Sequence, residues 1–396
     1  MKKIIALVII VCLLFAGAVA YTREAPSVKQ EIPAAEEVAS EETVTEEVPA
    51  DPIDYEAMYR LHTPDETVLK INGKDVSWTE YYYWFYYYTR QISNQIDMMK
   101  AYYGMDTSWD DEAGADGVTY ADVPALNAES QLKQIYTITG FAEDNNVQLT
   151  DEDKAEYEET LKADIASVCG EDGTQKDFEK VLSDMYMNMD IYRGMTESNL
   201  YYTRNMIDLY GENAEKITDE EAIAYLEENG YISANHILLM TADTATGETV
   251  DEDTENAIEK HAQEIAAELQ AIEDVEERIA RFKELAEEFN EDPGLEYYPE
   301  GYTYTAGTMV SEFESAAAAL EEYEVSDAVK TNYGYHIIMK MPLNPEALLT
   351  GESTPTPVKT MVAAEKYTSL LDEYYENLEV EYVDGFKAPQ IKDYMK

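Results

Sequence analysis

The sequence predicts an α+β protein, in which a small β-α-α-β-α-β-β module is inserted in a mostly α-helical domain formed from both of its flanks. Three observations carry that expectation. Two near-identical apolar runs, His236-Ile237-Leu238-Leu239-Met240 and His336-Ile337-Ile338-Met339, lie about 100 residues apart, and each has the length and composition of a buried strand. Strong helical spacing precedes the first run, near Leu126–Phe141 and Met185–Leu209. After the second run, prolines at 342, 345, 355 and 357 break the chain, and Val362, Tyr367, Leu370, Leu371 and Tyr374 then recur at helical spacing. A lone amphipathic helix must bury its stripe, and the helical region before the module is the nearest place to do so.

The first 20 residues differ from the rest. Lys2 and Lys3 form a positive end, Ile4 to Phe15 an apolar stretch, and Ala18-Val19-Ala20 a small-residue cleavage site. This is the pattern of a secretory signal peptide; the alternative is a retained N-terminal membrane anchor. Cys12 follows Ile10-Val11, which is no lipobox, so a lipid anchor is disfavoured. Residues 21–66 are rich in Glu, Ala, Val, Thr and Pro with paired glutamates, and read as an acidic disordered tether. The formal net charge is −55, and losing the two signal lysines makes it two units more negative. Such a surface repels nucleic acid and anionic membrane, and attracts cations or basic unfolded polypeptide. Contact with a membrane is expected only through the N-terminal segment if it stays uncleaved. Of the two cysteines only Cys169 remains after cleavage, so no intramolecular disulfide forms.

Residues 67–229 form the helical domain. Val68–Ile71 and Lys74–Val76 are short strands joined at Asn72-Gly73. Ser77 and Glu80 form a capping box for a helix carrying eight consecutive aromatics, Tyr81 to Tyr88. Such a run covers every side of a helix, so it is either core or a surface for unfolded chains. Thr150-Asp151-Glu152-Asp153 and Thr218-Asp219-Glu220-Glu221 mark further helix starts. The module occupies 230–342. It has a strand to Met240, an acidic loop Thr241–Asp253, helices over 254–272 and 275–289, a short strand Tyr302–Tyr304, a helix over 311–320, and strands over 328–331 and 335–341. Residues 343–357 read as a linker, and 358–396 as a C-terminal helix packing on the helical domain.

The module resembles a parvulin-type peptidyl-prolyl cis-trans isomerase (rotamase) domain. The matching stretches are Ala234–Leu238, Phe282–Pro293, Gly307–Glu314 and Ser326–Ile338, and their order and spacing together carry the likeness. With the signal peptide, helical domain and helical tail, the chain resembles the secreted PrsA/SurA-type bacterial foldases. The resemblance implies paired core histidines at His236 and His336, and Asp292 beside the substrate amide. It implies Met309 and Phe313 in the pocket for the proline ring, and a Thr331 hydroxyl bonded into the histidine pair. His236, Asp292, Thr331 and His336 are thus the catalytic candidates, with Met309, Phe313, Tyr304 and Tyr333 as substrate contacts. The two imidazoles are expected to share a hydrogen bond as a scaffold.

Rotation about an X-Pro amide must overcome about 18–20 kcal/mol, much of it lost resonance. No bond is made or broken, so the site needs no nucleophile, metal or cofactor; it must favour the twisted amide. Asp292 is the residue nearest to electrostatic catalysis. Where the family carries a Gly-Gly-Asp-Leu-Gly turn, this chain has Pro299-Glu300-Gly301-Tyr302-Thr303-Tyr304, so a pocket leucine is missing unless Tyr302 or Tyr304 replaces it. The acidic loop 241–253 argues against phosphorylated substrates. Among other polar features, His261 reads as a solvated residue, His62 carries no signal, and Asp251–Asn256 lacks the glycine of a calcium loop. The expected activity is extracytoplasmic X-Pro isomerisation in unfolded or newly secreted proteins. The alternative is a holdase that binds such clients through the helical domain while the module has little activity. The oligomeric state is left open.

Overall fold

The protein is described by a computed structural model covering residues 52–114, 117–242, 249–351 and 354–396. The expected signal peptide, residues 21–51 of the tether and residues 243–248 of the acidic loop lie outside the described residues. In chain order the elements are α1 (Tyr55–Tyr59), β1 (Thr67–Ile71), β2 (Lys74–Ser77), α2 (Trp78–Tyr103), α3 (Val123–Asp144), α4 (Asp151–Cys169), α5 (Gln175–Asp184), α6 (Met189–Tyr210) and α7 (Asp219–Glu228). Then come β3 (Ile232–Met240), α8 (Glu252–Gln270), α9 (Val275–Phe289), a 3-10 turn (Pro293–Glu296), β4 (Tyr302–Tyr304), α10 (Ser311–Ala319), β5 (Val329–Lys330) and β6 (Gly334–Met341). The chain ends with β7 (Leu348–Leu349), β8 (Thr356–Pro357), α11 (Val358–Glu376), β9 (Val380–Tyr382) and a last 3-10 turn (Ile391–Tyr394). The chain divides into two units: one runs to Asn205 and resumes at Thr368–Lys396, and the other is Met206–Tyr367.

The first unit is helical around a three-stranded sheet of order β2-β1-β9. Asn72 and Gly73 both adopt positive φ, as the tight two-residue hairpin between β1 and β2 requires. Thr150 and Asp153 form a reciprocal capping box at the start of α4. At α2 only half of the expected box forms. Ser77 accepts from the Glu80 amide, but the Glu80 carboxylate turns away to accept from the Tyr136 hydroxyl at 3.4 Å. Burial, opposed only by that hydroxyl, pushes the Glu80 carboxyl up to about 7. From the C-terminal segment, Leu378 and Ile391 join the core, Tyr374 packs edge-on against Phe141, and Val380 and Tyr382 pair with Ile71 and Leu69.

Two sequence expectations are corrected in this unit. The tether does not extend to residue 66. Ile53 and Met58 are buried, Tyr82 donates to the Tyr55 carbonyl at 2.6 Å, and the Trp78 indole donates to the Tyr59 carbonyl at 2.7 Å. A helix of five residues has too little period to stand out in an acidic stretch, and its anchors lie in α2. His62, read as carrying no signal, bonds Glu66 at 2.8 Å and packs its ring on Trp78 and Phe386. The aromatic run is resolved in favour of core: Tyr81 to Phe85 are buried, and Tyr86 to Tyr88 are half-buried.

The second unit carries a six-stranded sheet of order β5-β6-β3-β4-β7-β8. Thr218 and Glu221 cap α7 reciprocally. The central pair is antiparallel β3 and β6, in unbroken register from Ser233↔Met341 to Met240↔Gly334. One face of the pair presents Ile237, Leu239, Tyr335, Ile337 and Met339 to α8 and α9, whose Ala262, Ile265, Leu269, Phe282 and Leu285 complete an apolar layer. The other face carries Ala234 and Ile338 beneath Tyr302, Tyr304, Phe313 and Ala317. This is the period-two alternation of a sheet buried on both sides. Gly334 has φ +154, and a Cβ there would lie 2.1 Å from the Leu239 carbonyl oxygen, so only glycine fits beside β3. His261 packs edge-on against Phe289 rather than standing in solvent.

Residues 343–357 are more than a linker. Leu348 and Leu349 pair with Pro357 and Thr356, Leu349 runs parallel to Thr303, and the Thr350 amide donates to the Thr303 carbonyl at 2.8 Å. The prolines punctuate without preventing this, because Pro357 sits on the edge strand where a missing N–H costs nothing. Two-residue strands leave no periodicity to detect.

Phe85 is wholly enclosed in the first unit. Phe85→Ala is expected to destabilise that unit by about 3–5 kcal/mol. All three tryptophans lie at 78, 84 and 109, so urea unfolding followed by their fluorescence reads this unit; a loss below about 1 kcal/mol would contradict the core role.

Candidate active site

The register of β3 and β6 builds the site. His336 stands opposite Leu238, and His236 opposite Ile338, so both imidazoles project from the same face as a diagonal pair. Their ring centroids are 5.0 Å apart with planes tilted by 55°. They share no hydrogen bond, which corrects the expected imidazole pair. Among the described residues, both Nδ1 atoms and His236 Nε2 are buried without a hydrogen-bond partner. What joins the rings is Phe313 of α10, which meets both edge-on at 5.3 and 5.5 Å.

Each histidine has a different polar neighbour. His336 Nε2 is 2.9 Å from the Thr331 hydroxyl, which also accepts from the Tyr333 amide at 3.1 Å. Burial, followed by the nearby His236, pushes the His336 imidazole down to about 3 against a smaller opposing effect of Asp292. His336 is therefore neutral near pH 7. His236 Nε2 instead lies 3.2 Å from Asp292 Oδ2.

Asp292 sits just past α9 and caps the following 3-10 turn. Its Oδ1 accepts from the Gly294 amide at 2.9 Å, and its Oδ2 from the Tyr302 hydroxyl at 2.6 Å. Partial burial alone would raise its pKa. The contacts from His236, Tyr302 and Gly294 outweigh that effect and hold the carboxyl down at about 2. Asp292 is thus a fixed anion at the edge of a mostly apolar floor.

Asn290 places this anion, and the sequence reading assigned it no role. Among the described residues, no strand pairs with the edge of β3 beyond β4, and the Asn290 side chain takes that place. Its Nδ2 donates to the His236 carbonyl at 2.7 Å, and its Oδ1 accepts from the Leu238 amide at 3.0 Å and the Asp292 amide at 3.1 Å. Glu291 continues the pattern, with its amide on the Leu238 carbonyl and its carboxylate on the Met240 amide. The signal available in sequence was a polar Asn-Glu-Asp-Pro stretch directly after a helix, but nothing local names β3 as its target.

The expected substrate contacts divide. Met309 is half-buried at the rim, on a turn that the Glu314 carboxylate ties down through the Gly307 and Met309 amides. Tyr333 is exposed. Phe313 is enclosed and forms the floor beneath both histidines. Tyr304 is 0% exposed and packs behind Phe313 at 6.0 Å with its ring tilted by 57°, so it supports the floor and offers a peptide no surface. Tyr302, not Tyr304, takes the position beside the histidines, nearly parallel to the His236 ring at 12° and 5.7 Å. Among the described residues, no group of three or more His, Cys, Asp or Glu is placed to hold a metal ion.

A paired-histidine sheet face, an apolar floor and a fixed carboxylate define a parvulin-type rotamase module. Residues 236–341 match the family model of the rotamase PPIC-type PPIASE domain, and this segment belongs to that family. Beyond it, the chain is similar to proteins named foldase protein PrsA. The one from Oceanobacillus iheyensis is 28% identical over 220 residues, 55% of this chain and 61% of the relative. The one from Halalkalibacterium halodurans is 37% identical over 129 residues, 31% of this chain and 32% of the relative. The chain thus spans less than two thirds of the length of either. A Staphylococcus epidermidis PrsA is 28% identical over 281 residues, 70% of this chain and 79% of the relative. Among solved structures, PrsA from Bacillus subtilis is 22% identical and covers 79% of this chain and 91% of its own, with a TM-score of 0.24. That score is too low to relate the two arrangements as wholes.

The histidine electrostatics predict a pH dependence. His336 binds its proton more weakly folded than unfolded, where the ordinary value is 6.5, so the unfolded chain holds more protons between the two values. The stability this contributes is present above pH 6.5 and is lost as pH falls toward about 3. The urea concentration that abolishes hydrogen-exchange protection at Ile337 and Ile338 should fall between pH 7 and pH 4, and His336→Gln should flatten that slope. An unchanged slope would contradict the assignment.

Proposed function

We propose that the chain is an extracytoplasmic foldase whose module 236–341 catalyses cis-trans isomerisation of X-Pro bonds in unfolded or newly secreted proteins. The observation that carries the reading is the Asp292 carboxylate, held anionic by two hydrogen-bond donors and the nearby His236 ring beside a buried floor of Phe313 and the two imidazoles. In the planar amide, resonance places negative charge on the carbonyl oxygen, and twisting removes it. A fixed carboxylate facing that oxygen opposes the planar forms more than the twisted one. Its worth is raised by the low polarity of the floor. An apolar rim at Met309 suits a proline ring, and Tyr333 is exposed for contact with neighbouring residues of the peptide.

His236 and His336 act here as scaffold. His336 is neutral and bonded to Thr331, so it orients the floor rather than moving a proton. The N-terminal pattern of Lys2-Lys3, apolar run and Ala18-Val19-Ala20 supports export, and the similarity to foldase proteins supports polypeptide clients. A net charge of −55 favours basic, unfolded segments and disfavours nucleic acid.

A protease-coupled assay with an Ala-Pro peptide tests this directly. The full chain should accelerate isomerisation at micromolar concentration. Met309→Ala should lower kcat/KM by about tenfold, a rise of about 1.4 kcal/mol in the barrier, with a smaller change in stability to urea. Absence of acceleration by the unmodified chain would overturn the isomerase reading.

A further inference from the structure

One buried titratable group beside the site has no role in the family pattern, the phenol of Tyr302. Tyr302 stands opposite Ala234 in the β3–β4 pair, two residues before His236, so its side chain rises from the same sheet face as that imidazole. It is buried, and Tyr298 backs it at 5.1 Å. We infer that Tyr302 is a positioning residue for the isomerase centre: its hydroxyl holds the Asp292 carboxylate against His236, and its ring supplies the pocket wall that a leucine does not supply here. The inference rests on the proposed isomerase activity.

Three features of the geometry support it. The hydroxyl-to-Oδ2 distance of 2.6 Å is that of a charge-assisted bond, and it engages the same oxygen that His236 approaches at 3.2 Å. The carboxylate is thereby held on both flanks, with Gly294 fixing its other oxygen. The ring is nearly parallel to the His236 imidazole, which keeps that ring from tipping out of line. The space for the phenol exists because residue 294 is glycine, since a Cβ there would lie 1.9 Å from the Tyr302 hydroxyl oxygen. Without the hydroxyl, Oδ2 keeps only His236, and the carboxylate regains rotation and proton affinity. A residue that only filled space would need none of this polar fit.

Tyr302→Phe keeps the ring and removes the bond. Its kcat should fall by about fivefold to tenfold, the effect of one hydrogen bond to a charged group, with KM within about twofold. Gly294→Ala displaces the phenol by a different route and should give the same split, and the double variant should be no worse than either. The groups facing Asp292 are His236 from β3, His336 from β6 and Tyr302 from β4, with Glu291 beside it in the chain. His336 also gains a proton at low pH, so the Asp292 carboxyl carbon is followed by NMR. Its midpoint should rise from about 2 toward the ordinary aspartate value in Tyr302→Phe. Wild-type kcat together with an unmoved Asp292 titration would overturn the positioning role. If the unmodified chain itself shows no isomerase activity, the functional reading fails, and the carbon titration alone decides whether Tyr302 holds Asp292. Hydrogen exchange at Ile337 identifies a variant that has lost its fold, in which case the other variant carries the test.

Discussion

The register between β3 and β6 is the constraint on which the module depends. Each strand alternates its faces, so eight consecutive pairs from Ser233↔Met341 to Met240↔Gly334 sort the side chains into two layers at once. Ile237, Leu239, Ile337 and Met339 go to α8 and α9, and His236, His336 and Ile338 go to the site. A slip of one residue on either strand would exchange a histidine for an isoleucine under the helices and leave a buried imidazole among Leu269, Phe282 and Leu285. Gly334 secures one end of the pairing, where no other residue leaves room for the Leu239 carbonyl. The opposite layer, itself nearly continuous apolar surface, is therefore the device that aims the site.

The same face is electrically divided. At its inner end, His336 is deeply buried, bonded to a neutral hydroxyl and neutral itself. At its outer end, Asp292 is kept anionic by a backbone amide, a phenol and an imidazole. Phe313 lies between, touching both rings. A charge at the rim of an apolar floor is screened little on its inner side, and its desolvation is offset by fixed donors rather than by water. That arrangement suits a reaction whose only electronic event is the loss and return of amide resonance.

The fold was legible where it follows from local pattern. The histidine-led runs, the Asn72-Gly73 hairpin and the capping residues Thr150 and Thr218 each carry their signal within a few residues. Illegible features depend on distant partners. Ile53 pairs with Met395, and the helix that carries Met58 is held by Tyr82 and Trp78 of α2, although both residues sit in an acidic stretch of sequence. Leu348-Leu349 is a strand only because Thr303 and Thr356 flank it. Within the site, the identities of His236, His336, Asp292 and Thr331 could be read from the family likeness, but not their pairing. The expected bond between the imidazoles is replaced by separate partners, because the diagonal placement leaves the rings 5.0 Å apart and tilted. Tyr302 and Tyr304 both alternate with Thr303, and sequence gives no way to rank them. Position along β4 decides it: Tyr302 lies opposite Ala234, beside His236, whereas Tyr304 lies opposite Ile232, further from the site.

The departure from the Gly-Gly-Asp-Leu-Gly pattern takes on a different meaning in three dimensions. Counted position by position, the chain has lost a leucine from its pocket. In space, an aromatic ring occupies a wall beside His236 and adds a hydroxyl that the leucine never had. That hydroxyl has a use only because Asp292 is an oxygen acid, and it has room only because residue 294 lacks a Cβ. Gly294, Asp292 and Tyr302 are therefore coupled through one hydrogen bond. A change at any one alters what the other two are worth, and substitutions among them should not add. What reads in sequence as an eroded motif is, physically, a different solution to holding a carboxylate still at the edge of a dry floor.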